Sequence, residues 1–340
     1  MRTGIEDFTY RDGEPMNDTL VFDSWNQWPT VWVSSLIHGN EPYWAKVLEH
    51  FRESVRNNIF LIKQWRVLAI MKWNTLAENK LDPVTGEMWV RFVEDDLNRV
   101  VANVPEGEVR DNEEQRRWKA IKRLVDETQP WQWFDMHSFS APYWVPYAFS
   151  GLEWYYEWWK DLGIQYMAVN MANANRVSSD WRKEWLWMSD YVNASGWHGY
   201  TFEAWNHKDP ACYINSYQAL INFLVSLDMI VPYEISWTPN NTIIMPAKDI
   251  IKIWWSESSH VHIEEKHIFT GWFEYEWGHP QSFRKYNRWE HIWYDIHPDG
   301  RKEVVVAEYE GYIIMPKDPD ICVIGKEVFY YGKDMSEIAA

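Results

Sequence analysis

The sequence predicts an α/β fold, a mostly parallel or mixed sheet flanked by helices, followed by a smaller all-β C-terminal domain. Three observations carry this. Between residues 30 and 229, short apolar, β-branched runs alternate with segments of helical periodicity, the pattern of strands joined by crossover helices. After Pro232 that periodicity stops, and short β-rich runs broken by Pro and Gly take over. The polar residues with chemical potential stand where strand-like runs end, at the carboxyl edge where α/β sheets hold their sites. The expected division is 1–232 for the α/β unit and 233–340 for the β-rich unit.

Each element has its own signal. TVWVSSLI (30–37) is a buried strand that stops at His38-Gly39-Asn40. Residues 41–56 follow as a helix, with Ala45, Leu48, Phe51 and Val55 at helical spacing and Pro42 early, where a missing N–H costs nothing. WRVLAIMKW (65–73) is a second strand. Residues 111–127 form an amphipathic helix whose apolar face is Trp118, Ile121, Leu124 and Val125. WQWFDM (131–136) is a third strand, ending at His137. A helix over 152–162, a strand over 164–169, an irregular stretch over 172–182 and a helix through Tyr191 come next. GYTF (199–202) is a strand ending at Glu203, and 211–229 is a long helix. The β-rich runs are 250–255, 269–277, 303–315 and 321–332.

Composition removes several function classes. Fifty acidic against 33 basic residues give a formal charge of -17, which repels nucleic acid and anionic lipid. Cys212 and Cys322 are the only cysteines, so no disulfide framework or four-thiolate zinc site is available and the chain suits a reducing, cytoplasmic setting. No stretch approaches eighteen uncharged apolar residues, and the first ten residues lack a signal-like apolar run, so a soluble, unprocessed protein is expected. Twenty-six Trp beside 15 Gly is an unusual balance, from an atypical natural background or from redesign.

His38-Gly39-Asn40-Glu41 places an imidazole and a carboxylate three apart across a strand-to-helix turn, where both can face one point. A third ligand from a neighbouring strand end completes a His, Glu, His zinc set with one open position. His137 is placed for that, with Asp135 two residues earlier as its supporting partner. Alone, an HxxE pair in a turn is more often two solvated polar groups. His260 and His262, two apart on one face of a strand, are a weaker candidate without a nearby Cys or third ligand.

HGNEP (38–42), RFVEDDLNR (91–99), FDMHSFSAP (134–142) and YTFEA (200–204), in that order, resemble the succinylglutamate desuccinylase/aspartoacylase branch of the zinc carboxypeptidase superfamily, over most of residues 30–230. EGYIIMPKDPDICVIGKEVFYYG (310–332) looks like that family's closing β module. The resemblance implies a zinc carboxypeptidase-like catalytic domain, one zinc per chain on His38, Glu41 and His137, and Glu203 as the catalytic carboxylate. It further implies Arg91 as the carbonyl-polarising group and Asn98 and Arg99 as the grip on the substrate carboxylate, with Asp95 and Asp96 bracing the arginines. Two departures stand out. Ser34-Ser35 occupies the place of a glycine pair in many relatives, and a loop arginine those relatives carry has only Arg182 as an approximate counterpart.

The first functional expectation is a zinc-dependent amidohydrolase, a deacylase acting on an N-acyl amino acid or similar small carboxylate-bearing amide. A metallocarboxypeptidase acting on peptides shares the metal set. From another class, an inactive or redesigned scaffold that retains the zinc site as structure is motivated by the Trp excess and by Ser34-Ser35. The partner expected is a small molecule, with no nucleic acid and no membrane; a homo-oligomer is left open.

Overall fold

The computed structural model describes residues 2–5, 8–9, 15–16, 19–23, 29–57, 59–63, 66–70, 74–81, 83, 88–98, 112–139, 145–151, 164–171, 187–209, 211–232, 259–322, 324–325 and 327–338. Its elements run β1 Arg2–Ile5, β2 Phe8–Thr9, β3 Pro15–Met16, β4 Thr19–Asp23, β5 Thr30–Ser34, α1 Tyr43–Arg56, β6 Phe60–Ile62, β7 Arg66–Ile70, α2 Thr75–Glu78, α3 Glu113–Thr128, β8 Pro130–Phe139, β9 Tyr147–Phe149 and β10 Tyr166–Val169. There follow α4 Met188–Ala194, β11 His198–Asn206, α5 Ala211–Ser226, β12 Ile230–Pro232, β13 Ser259–Ile268, β14 Trp272–Tyr275, β15 Arg284–Tyr286, β16 His291–Ile296, β17 Lys302–Val306, β18 Gly311–Ile314, β19 Glu327–Asp334 and α6 Met335–Ile338.

A 12-stranded mixed sheet in the order β1-β4-β7-β5-β8-β11-β9-β10-β13-β19-β18-β15 forms the backbone of the molecule. Its centre is parallel: β5 lies between β7 and β8, and β11 follows β8 in the same direction. β9 then enters antiparallel to β11, and β10 and β13 continue parallel beyond it. A separate three-stranded antiparallel sheet, β14-β16-β17, sits in the C-terminal region.

Side-chain alternation along the central strands builds two apolar layers. Val31, Val33, Phe134 and Met136 face α1 and α5, meeting Trp44, Phe51, Leu220 and Phe223. Trp32 and Trp133 face the other way, onto Ile121, Leu124 and Val125 of α3 and Met188 and Val192 of α4. Each fully buried aliphatic or Phe side chain contributes about 1.5–3 kcal/mol by leaving water. α3 begins at Asn112, whose Oδ1 accepts the Gln115 N–H at 2.9 Å as a helix cap.

Most expected elements are present with boundaries displaced by a few residues. The long helix expected over 211–229 stops at Ser226, where Ser226 Oγ caps the Phe223 carbonyl and Asp228 turns left-handed at φ 54°. The 303–315 run is two strands around a turn. Helix α6 adds a single turn to the β-rich end, contrary to the expected loss of helices there. The expected helix over 152–162, the irregular stretch over 172–182 and the strand over 250–255 lie outside the described residues. The boundary at 232/233 opens on an undescribed segment, 233–258. Among the described residues, no helix is long and apolar enough to cross a membrane.

Candidate metal centre

Strand β5 hands the chain to the site through a tight turn. Ser35 N–H extends the ladder to Ile70 O at 3.0 Å, and then Leu36 adopts a left-handed conformation at φ 54°, sparsely populated for a branched side chain. Its carbonyl accepts the Asn74 N–H at 2.9 Å, which secures the bend. A Cβ on Gly39 would fall 2.4 Å from the Ala77 carbonyl carbon and 2.5 Å from Glu78 N, so only glycine lets this turn pack on α2. Gly39 N–H donates to the Arg91 carbonyl at 3.1 Å, tying the HGNE turn to the RFVEDDLN segment.

His38, Glu41 and His137 converge as the sequence predicts. All three are buried, and one ligand atom from each lies within 4.8 Å of the others. Glu41 is the hinge of the group: its Oε1 is 2.8 Å from His38 Nδ1, and its Oε2 is 3.3 Å from His137 Nδ1 and accepts the Ser138 N–H at 3.0 Å. Both rings therefore direct Nδ1 inward. Each outer nitrogen meets a carboxylate, His38 Nε2 at 3.1 Å from Asp96 Oδ1 and His137 Nε2 at 3.0 Å from Asp135 Oδ2. An imidazole whose Nε2–H is given to a carboxylate keeps the Nδ1 lone pair for a cation.

Behind Asp135 the support continues. Ser34 Oγ donates to Asp135 Oδ1 at 2.7 Å, and the Trp133 indole N–H donates to Ser34 Oγ at 2.6 Å, all in a fully buried position. Ser34, Trp133 and Asp135 share one face of adjacent strands, so β5 and β8 in register bring them together. Ser34 thus has a defined polar role.

Charge explains why these groups tolerate burial. Burial acts to raise the Glu41 pKa, but the charges of His137 and His38 outweigh it and hold the carboxyl well below the usual range. Burial acts to lower the His137 pKa, and Asp135 and Glu41 reverse that, raising it well above normal. Two imidazoles among carboxylates, with three inward donor atoms of zinc-ligand type, make a donor set that fits a divalent metal in place of the protons.

Glu203 sits on β11 directly across from His137 on β8. Its Oε2 is buried with no hydrogen-bond partner among the described residues. Burial pushes the carboxyl up to about 7, with Glu41 and Asp135 adding to the rise and His137 and Arg91 opposing it. Metal group and carboxylate open on one cavity of roughly 320 Å³, whose walls also include Arg91 and Asn98. Phe139, Phe149 and Trp187 make part of the lining apolar.

Arg91 keeps 43% of its side chain exposed and donates from Nε to Asp96 Oδ2 at 3.2 Å, so Asp96 braces both the arginine and His38. Asn98 is buried; its Oδ1 accepts the Met188 N–H at 2.8 Å, leaving the amide NH2 as its other polar group. Asp95 turns elsewhere, accepting from Asn112 and Gln115 at the start of α3. Arg99 and Arg182 lie outside the described residues. The sequence reading missed Asp96 as partner of His38, Ser34 and Trp133 as supports of Asp135, and Met315, Lys317 and Glu327, which reach the cavity from the C-terminal region. Only Asp96 carried a local signal, its place in the EDD run.

No family model and no curated protein sequence matches the chain. Solved structures do share its fold. An aspartoacylase family protein from Mesorhizobium loti superposes with a TM-score of 0.60 at 13% identity, covering 95% of this chain and 91% of the other. A succinylglutamate desuccinylase/aspartoacylase from Rhodobacter sphaeroides gives 0.60 at 14% identity, with 98% and 95% covered. The ectoine utilization protein EutE of Ruegeria pomeroyi, with product bound, gives 0.59 at 13% identity, with 96% and 92% covered. The fold is therefore the one these aspartoacylase and desuccinylase structures share.

Proposed function

We propose that the protein is a zinc-dependent hydrolase of the succinylglutamate desuccinylase/aspartoacylase type, cleaving the amide bond of an N-acyl amino acid or a similar small carboxylate-bearing amide. The observation that carries this is Glu203, whose buried Oε2 has no hydrogen-bond partner among the described residues and which opens on the same cavity as the convergent His38, Glu41 and His137.

His38 and His137 through Nδ1 and Glu41 through its carboxylate would hold one zinc ion. Zinc bound there supplies Lewis acidity that brings the pKa of water from 15.7 to about 7. Glu203 accepts the proton of the attacking water and returns it to the leaving amine, a role worth about 10²–10⁴ in rate. Arg91 directs its guanidinium into the cleft to hold the developing oxyanion, and Asp96 keeps it oriented. Asn98, joined by Arg99, grips the carboxylate of the amino acid through charge-assisted hydrogen bonds of about 1.5–3 kcal/mol each. The two free thiols, Cys212 and Cys322, suit a reducing, cytoplasmic setting.

The test is a substrate panel on protein loaded with one equivalent of zinc. Release of free amino acid from N-acyl amino acids is expected. Hydrolysis confined to short peptides would assign a carboxypeptidase instead. Failure to retain even about half an equivalent of zinc would leave a scaffold whose motif survives as structure.

A further inference from the structure

Residues 91–96, between Arg91 and Asp96, form neither strand nor helix, so their backbone polar groups need partners from elsewhere in the chain. At one end the Arg91 carbonyl accepts the Gly39 N–H at 3.1 Å. In the middle, Oε1 of Glu114 accepts the Val93 N–H at 2.8 Å and the Glu94 N–H at 3.4 Å. Glu114 is the second residue of α3 and is 1% exposed, and its Oε2 is buried with no hydrogen-bond partner among the described residues. Burying a carboxyl costs free energy that a surface glutamate avoids, so this one is explained by what it holds.

What it holds leads to the metal group. Two residues beyond Glu94, Asp96 presents Oδ1 to His38 Nε2 at 3.1 Å and to the Asn98 N–H at 3.0 Å, while its Oδ2 accepts from Arg91 Nε at 3.2 Å. Asp95 accepts from Asn112 and Gln115 at the same end of α3. The start of this helix therefore clasps the segment from behind, and Arg91 and Asn98 line the cavity in front.

We propose that Glu114 is a positioning residue of the cleft, fixing the backbone at Val93 and Glu94 so that Asp96 meets His38 and so that Arg91 and Asn98 enter the cavity. The inference rests on the zinc hydrolase reading above for the roles of those three residues. Glu114 itself is not part of the cavity wall, so its effect on the chemistry passes through the segment it holds. The magnitudes at stake are large. A displacement of about 1 Å at an orienting group costs up to about 10²-fold in rate, and a carboxylate behind a ligand histidine is worth about 10–100-fold in metal affinity. Glu114→Gln keeps an acceptor oxygen for the two N–H groups, whereas Glu114→Ala removes it.

The experiment measures zinc affinity by chelator competition in the wild-type protein, Glu114→Ala, Glu114→Gln, Asp96→Asn and the double variant Glu114→Ala/Asp96→Asn. Glu114→Ala is expected to weaken zinc about tenfold, and Glu114→Gln to stay within about threefold of wild type. The double variant should match Asp96→Asn alone, because both changes act through one contact to His38. Additive losses, full affinity in Glu114→Ala, or equal loss in Glu114→Gln overturns the assignment. On a hydrolysed N-acyl amino acid at saturating zinc, Glu114→Ala should lower kcat/KM by about 10–100-fold, with Glu114→Gln restoring it, and an unchanged value overturns the role. If the wild type hydrolyses no substrate, the hydrolase reading has failed and the zinc cycle decides the role of Glu114 by itself. Amide exchange decides it where the alanine variant does not fold or the wild type holds no zinc. The wild-type Val93 amide should exchange at least about 100-fold more slowly than an unprotected amide, and exchange at the unprotected rate overturns the clasp.

Discussion

Two pairs of histidines in this molecule have opposite fates. His38 and His137 are far apart in the sequence, yet β5 and β8 lie side by side and deliver both rings to Glu41. His260 and His262 are two residues apart on β13, beside Met167 and Val169 of β10, and close spacing gains them nothing. Burial lowers the His260 pKa, while His262 meets Glu264 at 3.3 Å. Among the described residues the only cluster of potential metal ligands is His38, Glu41 and His137. The difference lies in the carboxylates. Glu41 bridges the first pair and Asp96 and Asp135 back it from outside, whereas among the described residues no group of potential metal ligands gathers around the second.

Replacing residues in each pair tests this contrast, and the largest effect belongs to His137→Ala. That change removes a ligand and the imidazole that offsets the buried Asp135 and Glu41 carboxylates, which costs about 3–5 kcal/mol of stability. Metal analysis should find zinc lost, and urea unfolding should show the drop; full zinc retention would break the assignment. Glu203→Gln comes next, keeping zinc while kcat falls by about 10²–10⁴. An active Glu203→Gln enzyme would remove the proposed base. Asp135→Asn should weaken zinc binding by about 10–100-fold in competition with a chelator, because the outer nitrogen of His137 loses its charged partner.

A smaller effect appears in the pH dependence of the metal-free protein. Glu203 in the folded chain titrates near 7 against an ordinary value of 4.5, so the folded state binds more protons than the unfolded state between those values. The stability this provides is complete below the unfolded value and lost as pH rises toward 7. Wild-type stability should therefore decline relative to Glu203→Gln across that interval, and parallel curves by urea unfolding would show that Glu203 holds no proton there. Smallest of all, His262→Ala should leave zinc content at one equivalent. Loss of zinc in that variant would bring the second pair back as a site.

Much of this was legible because the information is local. Val31, Val33, Phe134 and Met136 announce buried parallel strands, and a buried strand places whatever follows it at the sheet's carboxyl edge, where His38, His137 and Glu203 were found. Asp135 as partner of His137 follows from the same two-residue alternation. What the sequence withheld depends on register between distant segments. Ser34 reads as a departure from a glycine pair until β5 and β8 are aligned, when it becomes the donor to Asp135. β9 is three residues long and enters against its neighbour β11, with no periodicity long enough to announce it. Lys317 is a lone lysine in a Pro-flanked loop, and nothing nearby in the sequence connects it with a turn almost three hundred positions earlier.

The pairing of β10 with β13 carries a last consequence. Through it the central parallel strands and the antiparallel strands of the C-terminal half belong to one continuous ladder of backbone hydrogen bonds. The jaws around a bound molecule are then two margins of a single lattice, and its aperture is set when the chain folds. Crystals grown with and without a bound ligand should therefore superpose strand for strand.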